Sequence, residues 1–466
     1  MTMAIPRTES YLSRLQIDAA EPRPPVGGDS LADARRTMAA TGQWSPAQFM
    51  GRRWPIGCVA LEITQRCNLD CTACYLSENS EAVKDLPLED IFRRIDMIHR
   101  HYGKNTDIQV TGGDPTLRKR SELVEIVRRI SEKGMRPALF TNGIRAKRDL
   151  LEELAQAGLV DVAFHVDLTQ QRRGYNTEGE LNAIRREYVE RARGLPLSVL
   201  FNTTVCNENF EQIPDVVGFF VRHSDVVRLA SFQLQADTGR GVLGRRHEAI
   251  TFKSVQQQIE KGARTSLSFD TAHIGHSRCN RYAATFVANG HAYDVLDDPP
   301  LFQLILARTA RLNFDRRSRS RAVRTFVAGL LANPTLWAPT AAWLSRKIWR
   351  ARSDLIAARG RVHKLSFFIH NFMDGCRLEP ERIDACIFMA MTKDGPISMC
   401  LHNAKRDTFI LAPLQLPGPT DNRDWDPLSG RTTNTLTAPR LVEHKIKNVK
   451  KAARKERPVE LKASAK

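Results

Sequence analysis

Between positions 59 and 235 the chain alternates short, β-branched apolar runs with longer stretches whose apolar residues recur near the helical period. The runs predict strands over 59–64, 107–111, 137–141, 160–167, 197–205 and 227–235, and the longer stretches predict helices over 88–102, 123–132 and 150–156. Strands that take turns with helices need crossover connections, which argues for a parallel α/β sheet. The pattern leaves open whether that sheet is doubly wound or curls into a partial (β/α) barrel.

Past Thr238 the rhythm breaks. Apolar runs flank Asn289-Gly290 and again Asp394-Gly395, and both dipeptides favour the two-residue turns that join antiparallel neighbours. The stretch 325–345 carries no charge and is about long enough to cross a bilayer. Asn333, Pro334, Pro339 and several threonines interrupt it, so it reads as interfacial or buried. Beyond about Leu411 the sequence turns to Pro, Thr, Asn and Lys with little period, which predicts an irregular segment and a solvated tail.

With 466 residues, 42% hydrophobic and 26% charged, the chain can build a large core, and fibrous or wholly disordered classes are excluded. Seventy Lys and Arg against 52 Asp and Glu leave +18, ordinarily a sign of polyanionic partners. The excess is localised. Residues 301–363 carry 13 basic side chains against Asp315 and Asp354, and residues 443–466 carry nine against Glu443, Glu456 and Glu460. The rest of the chain is nearly neutral, so the body is not itself a polyanion clamp. The first 33 residues have no apolar core of the kind a secretion signal needs, so a cytoplasmic protein is expected.

Nine cysteines are too few for a disulfide scaffold, and an odd number of clustered thiols points to metal or catalysis in a reducing compartment. Cys67, Cys71 and Cys74 form a CxxxCxxC triplet just after the first strand. Three thiolates on one tight loop suit three corners of a four-iron four-sulfur cluster and leave the fourth iron open. A closed zinc site is the alternative, but it needs a fourth ligand, and the nearest downstream histidine is His99 in a predicted helix. Gly112-Gly113-Asp114 ends the second strand and Thr141-Asn142-Gly143 the third, and ligands of α/β sheets bind at the carboxyl ends of strands. His165 and Asp167 end the fourth strand.

These motifs, over residues 54–240, resemble the radical S-adenosylmethionine (SAM) enzymes. The resemblance implies a partial (β/α)6 TIM-like barrel in which Cys67, Cys71 and Cys74 hold the cluster and SAM chelates its open iron. By position, Gly112, Gly113 and Asp114 match the family's GGE segment that meets the methionine amino group, with Asp in place of Glu. Tyr75 becomes an adenine contact, and Asn142 and Asn202 polar SAM contacts. Reductive cleavage of SAM to a 5′-deoxyadenosyl radical follows, with a low-potential donor such as flavodoxin or ferredoxin. No residue is assigned a catalytic role.

Four more cysteines, Cys279, Cys376, Cys386 and Cys400, suffice to enclose an auxiliary cluster. Cys386 and Cys400 bracket the Asp394-Gly395 hairpin, resembling the twitch and SPASM modules. An ideal register would set Cys400 opposite Met389 and turn the two thiols apart, so Cys386 must precede its strand or a bulge must intervene. Buried free thiols are the alternative reading, and Cys58 and Cys206 read as core. Segments around Gly275–Cys279 and Phe372–Gly395 are similar to lipid-modifying radical SAM enzymes of the tetraether lipid synthase group, although no Cys precedes Cys58 to supply that group's N-terminal iron site. Projected as a helix, 335–355 sets Leu336, Trp337, Trp343, Leu344, Ile348, Ala351 and Leu355 on one broad face flanked by Arg346, Lys347, Arg350 and Arg352. That pattern fits an interfacial helix or one packed on the barrel with a solvated basic face.

The resulting division is an N-terminal extension (1–53), a radical SAM core (54–240), a connecting segment with a hairpin and Cys279 (241–300), a basic amphipathic helical segment (301–363), an auxiliary-cluster hairpin region (364–412) and an irregular basic tail (413–466). Three readings follow: a radical SAM enzyme acting on a lipid or other hydrophobic substrate at an anionic inner membrane face, a twitch or SPASM enzyme acting on a peptide, and, least favoured, a nucleic-acid-binding iron-sulfur protein.

Overall fold

The computed structural model describes residues 11–24, 28–310, 312, 314, 315, 319–416 and 423–433. Much of the tail, including the basic segment 443–466, and Arg311, Arg316 and Arg317 lie outside the described residues.

Strands β1 (Cys58–Thr64), β2 (Asp107–Gly112), β3 (Arg136–Thr141), β4 (Asp161–His165), β5 (Ser198–Val205) and β6 (Val227–Leu234) stand side by side in chain order and run parallel. Between them come α1 (Leu88–Tyr102), α2 (Arg120–Glu132), α3 (Arg148–Gln156), α4 (Glu178–Ala192) and α5 (Ile213–Arg222). Helix α1 shows why: Ile91, Ile95, Ile98 and Tyr102 recur on one buried face. Acidic residues occupy its first turn, basic ones its last, and Gly103 at a positive φ ends it. Val59, Leu61 and Ile63 of β1 join the same core, so alternation turns Cys58, Ala60 and Glu62 to the opposite, inner face of the sheet.

The C-terminal half does not form a separate unit. After α6 (Phe252–Ala263), β7 (Asn280–Ala288) and β8 (His291–Asp294) form the expected hairpin, with Asn289 and Gly290 both at positive φ. Helices α7 (Pro299–Arg308), α8 (Arg319–Leu331) and α9 (Trp337–Ala357) follow. Strand β9 (His363–Asn371) then pairs parallel with β6, and β10 (Phe388–Met391) pairs parallel with β1. The six-stranded core is thereby extended at both ends to eight parallel strands, flanked by β7–β8 and by β11 (Pro396–Ser398). The partial barrel is as expected, but β9 had no counterpart in the sequence reading. Phe388 lies 6.2 Å from Phe368 and 4.7 Å from His370, ring centre to ring centre, so the two end strands meet across an aromatic seam.

The hairpin register differs from the ideal one. Met391 pairs with Pro396 and Met389 with Ser398, which puts Cys400 beyond the strand, in the short helix Met399–Ala404, while Cys386 precedes β10. No helix among the described residues is long and apolar enough to cross a membrane. The N-terminal helix Arg14–Ala19 packs Ile17 among Met373, Leu378, Ile397 and Leu401.

Beneath the mouth of the barrel, Glu178 and Arg185 of α4 form a fully buried ion pair. Glu178 also accepts from the Leu168 amide at 3.0 Å, and Arg185 donates to the Val166 carbonyl at 2.8 Å, so the pair fixes the turn after β4. Replacing Glu178 by Ala would leave a guanidinium buried without its carboxylate. A loss of about 3–5 kcal/mol is expected, read as a lower midpoint of urea unfolding.

Candidate functional site

All eight parallel strands end at the same mouth, and the loop from Arg66 to Leu76 crosses it. This loop is irregular, so other segments must hold it. The Thr72 amide donates to the Thr169 carbonyl (2.8 Å), the Val242 amide to the Thr72 carbonyl (2.7 Å) and the Arg240 amide to the Leu76 carbonyl (2.7 Å). The Asn142 side-chain amide reaches Asn68 Oδ1 at 2.6 Å. Gly239 has a positive φ, and a Cβ there would collide with the Tyr75 backbone, so only glycine lets residues 239–242 press on the loop.

Cys67, Cys71 and Cys74 all lie on this loop, partly exposed, near enough for each charge to bear on the others. Burial pushes the Cys67 thiol up to about 11 and raises that of Cys71, so an electropositive partner is needed to hold either as a thiolate. Arg240, almost fully buried, sits beside the Cys74 sulfur and pairs with Glu81 at 2.6 Å. Arg172 bears on Cys71. Among the described residues no three His, Cys, Asp or Glu side chains are placed to share a single metal ion. A four-iron cube takes one thiolate per corner and needs no such convergence, so the donor set fits a cluster.

The structure gives the expected SAM-contacting residues definite partners. A Cβ on Gly112 would collide with the Thr64 carbonyl and one on Gly113 with the Arg66 carbonyl. Through this close approach the Gly113 amide donates to Thr64 O (2.9 Å) and the Asp114 amide to Arg66 O (2.8 Å). By resemblance Asp114 belongs to the segment that meets the methionine amino group, with a carboxylate one methylene shorter than the family's Glu. In the structure it is fully buried, with Oδ1 accepting from the Thr116 amide (3.0 Å) and Oδ2 from Thr141 Oγ1 and the Asn142 amide (both 2.8 Å). Its shorter side chain ties the β2 end to the β3 end. Tyr75 donates to the Gly112 carbonyl and carries the Arg406 guanidinium over its ring at 4.8 Å. Asn142 braces the cysteine loop, and Asn202 lies buried in β5, in register with His165 of β4.

Ser231 of β6 is in turn in register with Asn202, so His165, Asn202 and Ser231 form a row across three strands. Their neighbours Phe164, Phe201, Ala230 and Phe232 belong to the outer core, which turns this row to the interior. Among the described residues Ser231 Oγ is buried without a hydrogen-bond partner, so its hydroxyl is able to meet a ligand's polar atom. His165 Nε2 lies 2.6 Å from Asp167 Oδ2, and Asp167 also accepts from the Thr169 and Thr204 amides at 3.0 and 2.7 Å. Burial opposes charge on both groups, but their mutual attraction prevails: the histidine pKa is raised and the aspartate pKa lowered.

At the seam, Cys279, Cys386 and Cys400 line one cavity with His370, Arg382 and Phe388. Arg382 Nε is 3.2 Å from Cys279 Sγ. Cys376, the fourth expected ligand, is exposed in the turn after Asp374 and does not line the cavity. The free volume is about 20 Å³, room for one water. In this arrangement the cavity is too small for a four-iron cube.

Sequence reasoning missed Arg240, Arg172 and the buried Arg406–Glu62 pair (2.7 Å), which holds the Glu62 carboxyl down at about 2 against the opposing effect of burial. Glu62 was a legible signal: a lone charge in an apolar strand.

The His165–Asp167 pair has a pH window. A raised histidine pKa adds stability that is lost as pH rises through it, and a lowered aspartate pKa adds stability that is lost as pH falls through it. The full contribution therefore lies between about pH 4 and 6.5. In an NMR titration His165 is expected to titrate above the ordinary histidine value and to fall back in Asp167→Asn.

Residues 61–220 match the profile of the radical SAM superfamily. The 7,8-dihydro-6-hydroxymethylpterin dimethyltransferase of Methanocaldococcus jannaschii is 30% identical over 186 residues, 39% of this chain and 36% of that protein. The PqqA peptide cyclase of Bradyrhizobium diazoefficiens is 31% identical over 162 residues, 34% of this chain and 42% of that one. The chain thus spans well under half the length of these relatives. Among solved structures, Streptococcus suis SuiB bound to precursor peptide SuiA is 16% identical, with a TM-score of 0.34 and coverage of 49% of each chain. The matched residues include the cysteine loop and the strand ends that brace it, so the likeness to a radical SAM domain lies in the segments that build the site.

Proposed function

We propose that this chain is a radical SAM enzyme that takes a hydrogen atom from an unactivated carbon of a polar substrate held in the barrel mouth. The observation that carries the reading is the cysteine loop, with three thiols on one short segment fixed over the ends of parallel strands. When bound, the cluster and SAM supply an electron and a 5′-deoxyadenosyl radical, the electron coming from a low-potential donor of the flavodoxin or ferredoxin class. Cys67, Cys71 and Cys74 would hold the cluster. Arg240 offsets negative charge at the Cys74 corner. The Asp114–Thr141–Asn142–Asn68 chain of hydrogen bonds keeps the loop at a fixed height over the strand ends, where a wandering loop would admit water.

The substrate reading shifts from the sequence expectation. A lipid substrate finds no counterpart in the relatives described above, whereas one of them is named as a peptide cyclase. The inner row of His165, Asn202 and Ser231 supports the same choice, because a polar row with the unpartnered Ser231 hydroxyl suits amides better than a hydrocarbon chain. We therefore favour a peptide, with the lipid reading second.

Under anaerobic reduction with dithionite the reconstituted protein is expected to release 5′-deoxyadenosine from SAM, and Cys67→Ala to release none. Undiminished release by that variant would remove the cluster assignment. Iron in the purified protein is expected at about four per chain, while about eight would mean that the Cys279 cavity opens to take a second cluster.

A further inference from the structure

Helix α9 is packed the wrong way round for a soluble protein. The face it turns to β7–β8 is polar: Lys347 is buried, with Nζ donating to the Asp294 carbonyl and pairing with Asp297, both at 2.5 Å. Asp354 accepts from Asn289 Nδ2 at 3.1 Å, takes the Tyr293 hydroxyl at 2.5 Å and lies 3.0 Å from His291. Of the apolar face projected from the sequence, only Leu336 and Ala351 are buried. Leu344 and Ile348 point outward with Trp337, Trp349 and Ile356; Trp349 is 68% exposed and Ile356 79%. Ten large hydrophobic side chains are exposed among the described residues, and nine of them lie between Val323 and Val362.

This surface is also cationic. Arg321, Arg324, Arg346, Arg350, Arg352, Arg359 and Arg361 are all exposed. Arg352 stacks over Trp349 at 4.2 Å. Arg346 and Arg350 border the exposed apolar band and pair with Asp298 and Asp297, at 2.7 and 3.4 Å. Burying the apolar side chains needs an apolar occupant, and the surrounding charge needs an anionic one. A second copy of the chain would bring two strongly basic segments together, and the C-terminal segment 443–466 is itself basic, so like charge disfavours both. Nucleic acid would satisfy the arginines and leave Leu344, Ile348 and Ile356 in water. One class of partner meets both requirements.

We propose that the α8–α9 segment docks on a bilayer surface containing anionic lipid, with Trp349, Ile348 and Leu344 inserted at the headgroup boundary and the arginines among the headgroups. The proposal does not rest on the reading of the barrel's substrate and leaves either class possible. The full-length reconstituted protein is to be floated with vesicles of phosphatidylcholine alone and of phosphatidylcholine with 30% phosphatidylglycerol, near 150 mM salt. Binding is expected to the mixed vesicles only, with a blue shift of tryptophan fluorescence. The double variant Ile348→Ser/Trp349→Ser changes only exposed side chains, so circular dichroism and 5′-deoxyadenosine release should be retained while vesicle affinity falls by at least about tenfold.

Equal binding by the variant would overturn the proposal, as would equal binding to neutral vesicles. So would vesicle binding abolished by competing RNA and untouched by the two serines, which would assign the surface to nucleic acid. Failure to float, with concentration-dependent dimers that the double variant abolishes, would assign it to a second copy instead.

Discussion

The close approach of Gly112-Gly113 to the segment Thr64–Arg66 is the contact on which the candidate site is built. Neither glycine could carry a side chain there, because the neighbouring carbonyls occupy the place of Cβ. With that space empty, two amides of the β2 end meet two carbonyls of the β1 end. Asp114 then extends the connection to β3 through Thr141 and Asn142, and Asn142 returns it to the cysteine loop through Asn68. The circuit closes on three strand ends and one loop, so the positions of the thiols depend on backbone contacts made several residues away. Burial of Asp114 strengthens each of these bonds, since no water competes for its oxygens.

Much of this is legible in the sequence. Strands β1 to β6 and helices α1 to α3 follow from period and composition because both faces of a covered parallel sheet are written in the chain itself. The Asn289-Gly290 hairpin was legible because few residues other than Asn and Gly take two successive positive φ values. Strand β9 was missed, although Leu365 to Ile369 is apolar but for Ser366, because its partner β6 lies more than a hundred residues earlier and no local pattern marks that pairing. The partners of Asp114 were illegible for a related reason. A motif gives a residue's neighbours in sequence, and Thr141 and Asn142 are neighbours only in space.

Helix α9 marks a different limit. Its apolar spacing was found, but the face that packs inward was chosen by ion pairs, and the acidic residues that attract Lys347 lie about fifty positions away. A helical projection ranks faces by hydrophobicity and has no way to include such a partner. The cysteines near the seam behave similarly. Cys279, Cys386 and Cys400 meet because β7, β9 and β10 bring them together, while Cys376, closer in sequence to two of them, stays outside.

The seam also bears on how the molecule comes into being. Cys58 of β1 pairs with Phe388 of β10, 330 positions later, and β9 reaches β6 only after the whole α7–α9 excursion has been made. A chain emerging from the ribosome therefore presents the inner face of the sheet to its surroundings for most of its synthesis, with the cysteine loop complete and the wall beside it still missing. Assembly machinery that delivers iron and sulfide would find its widest access during that interval. Emergence of β9 and β10, rather than any later rearrangement, would be what closes the door.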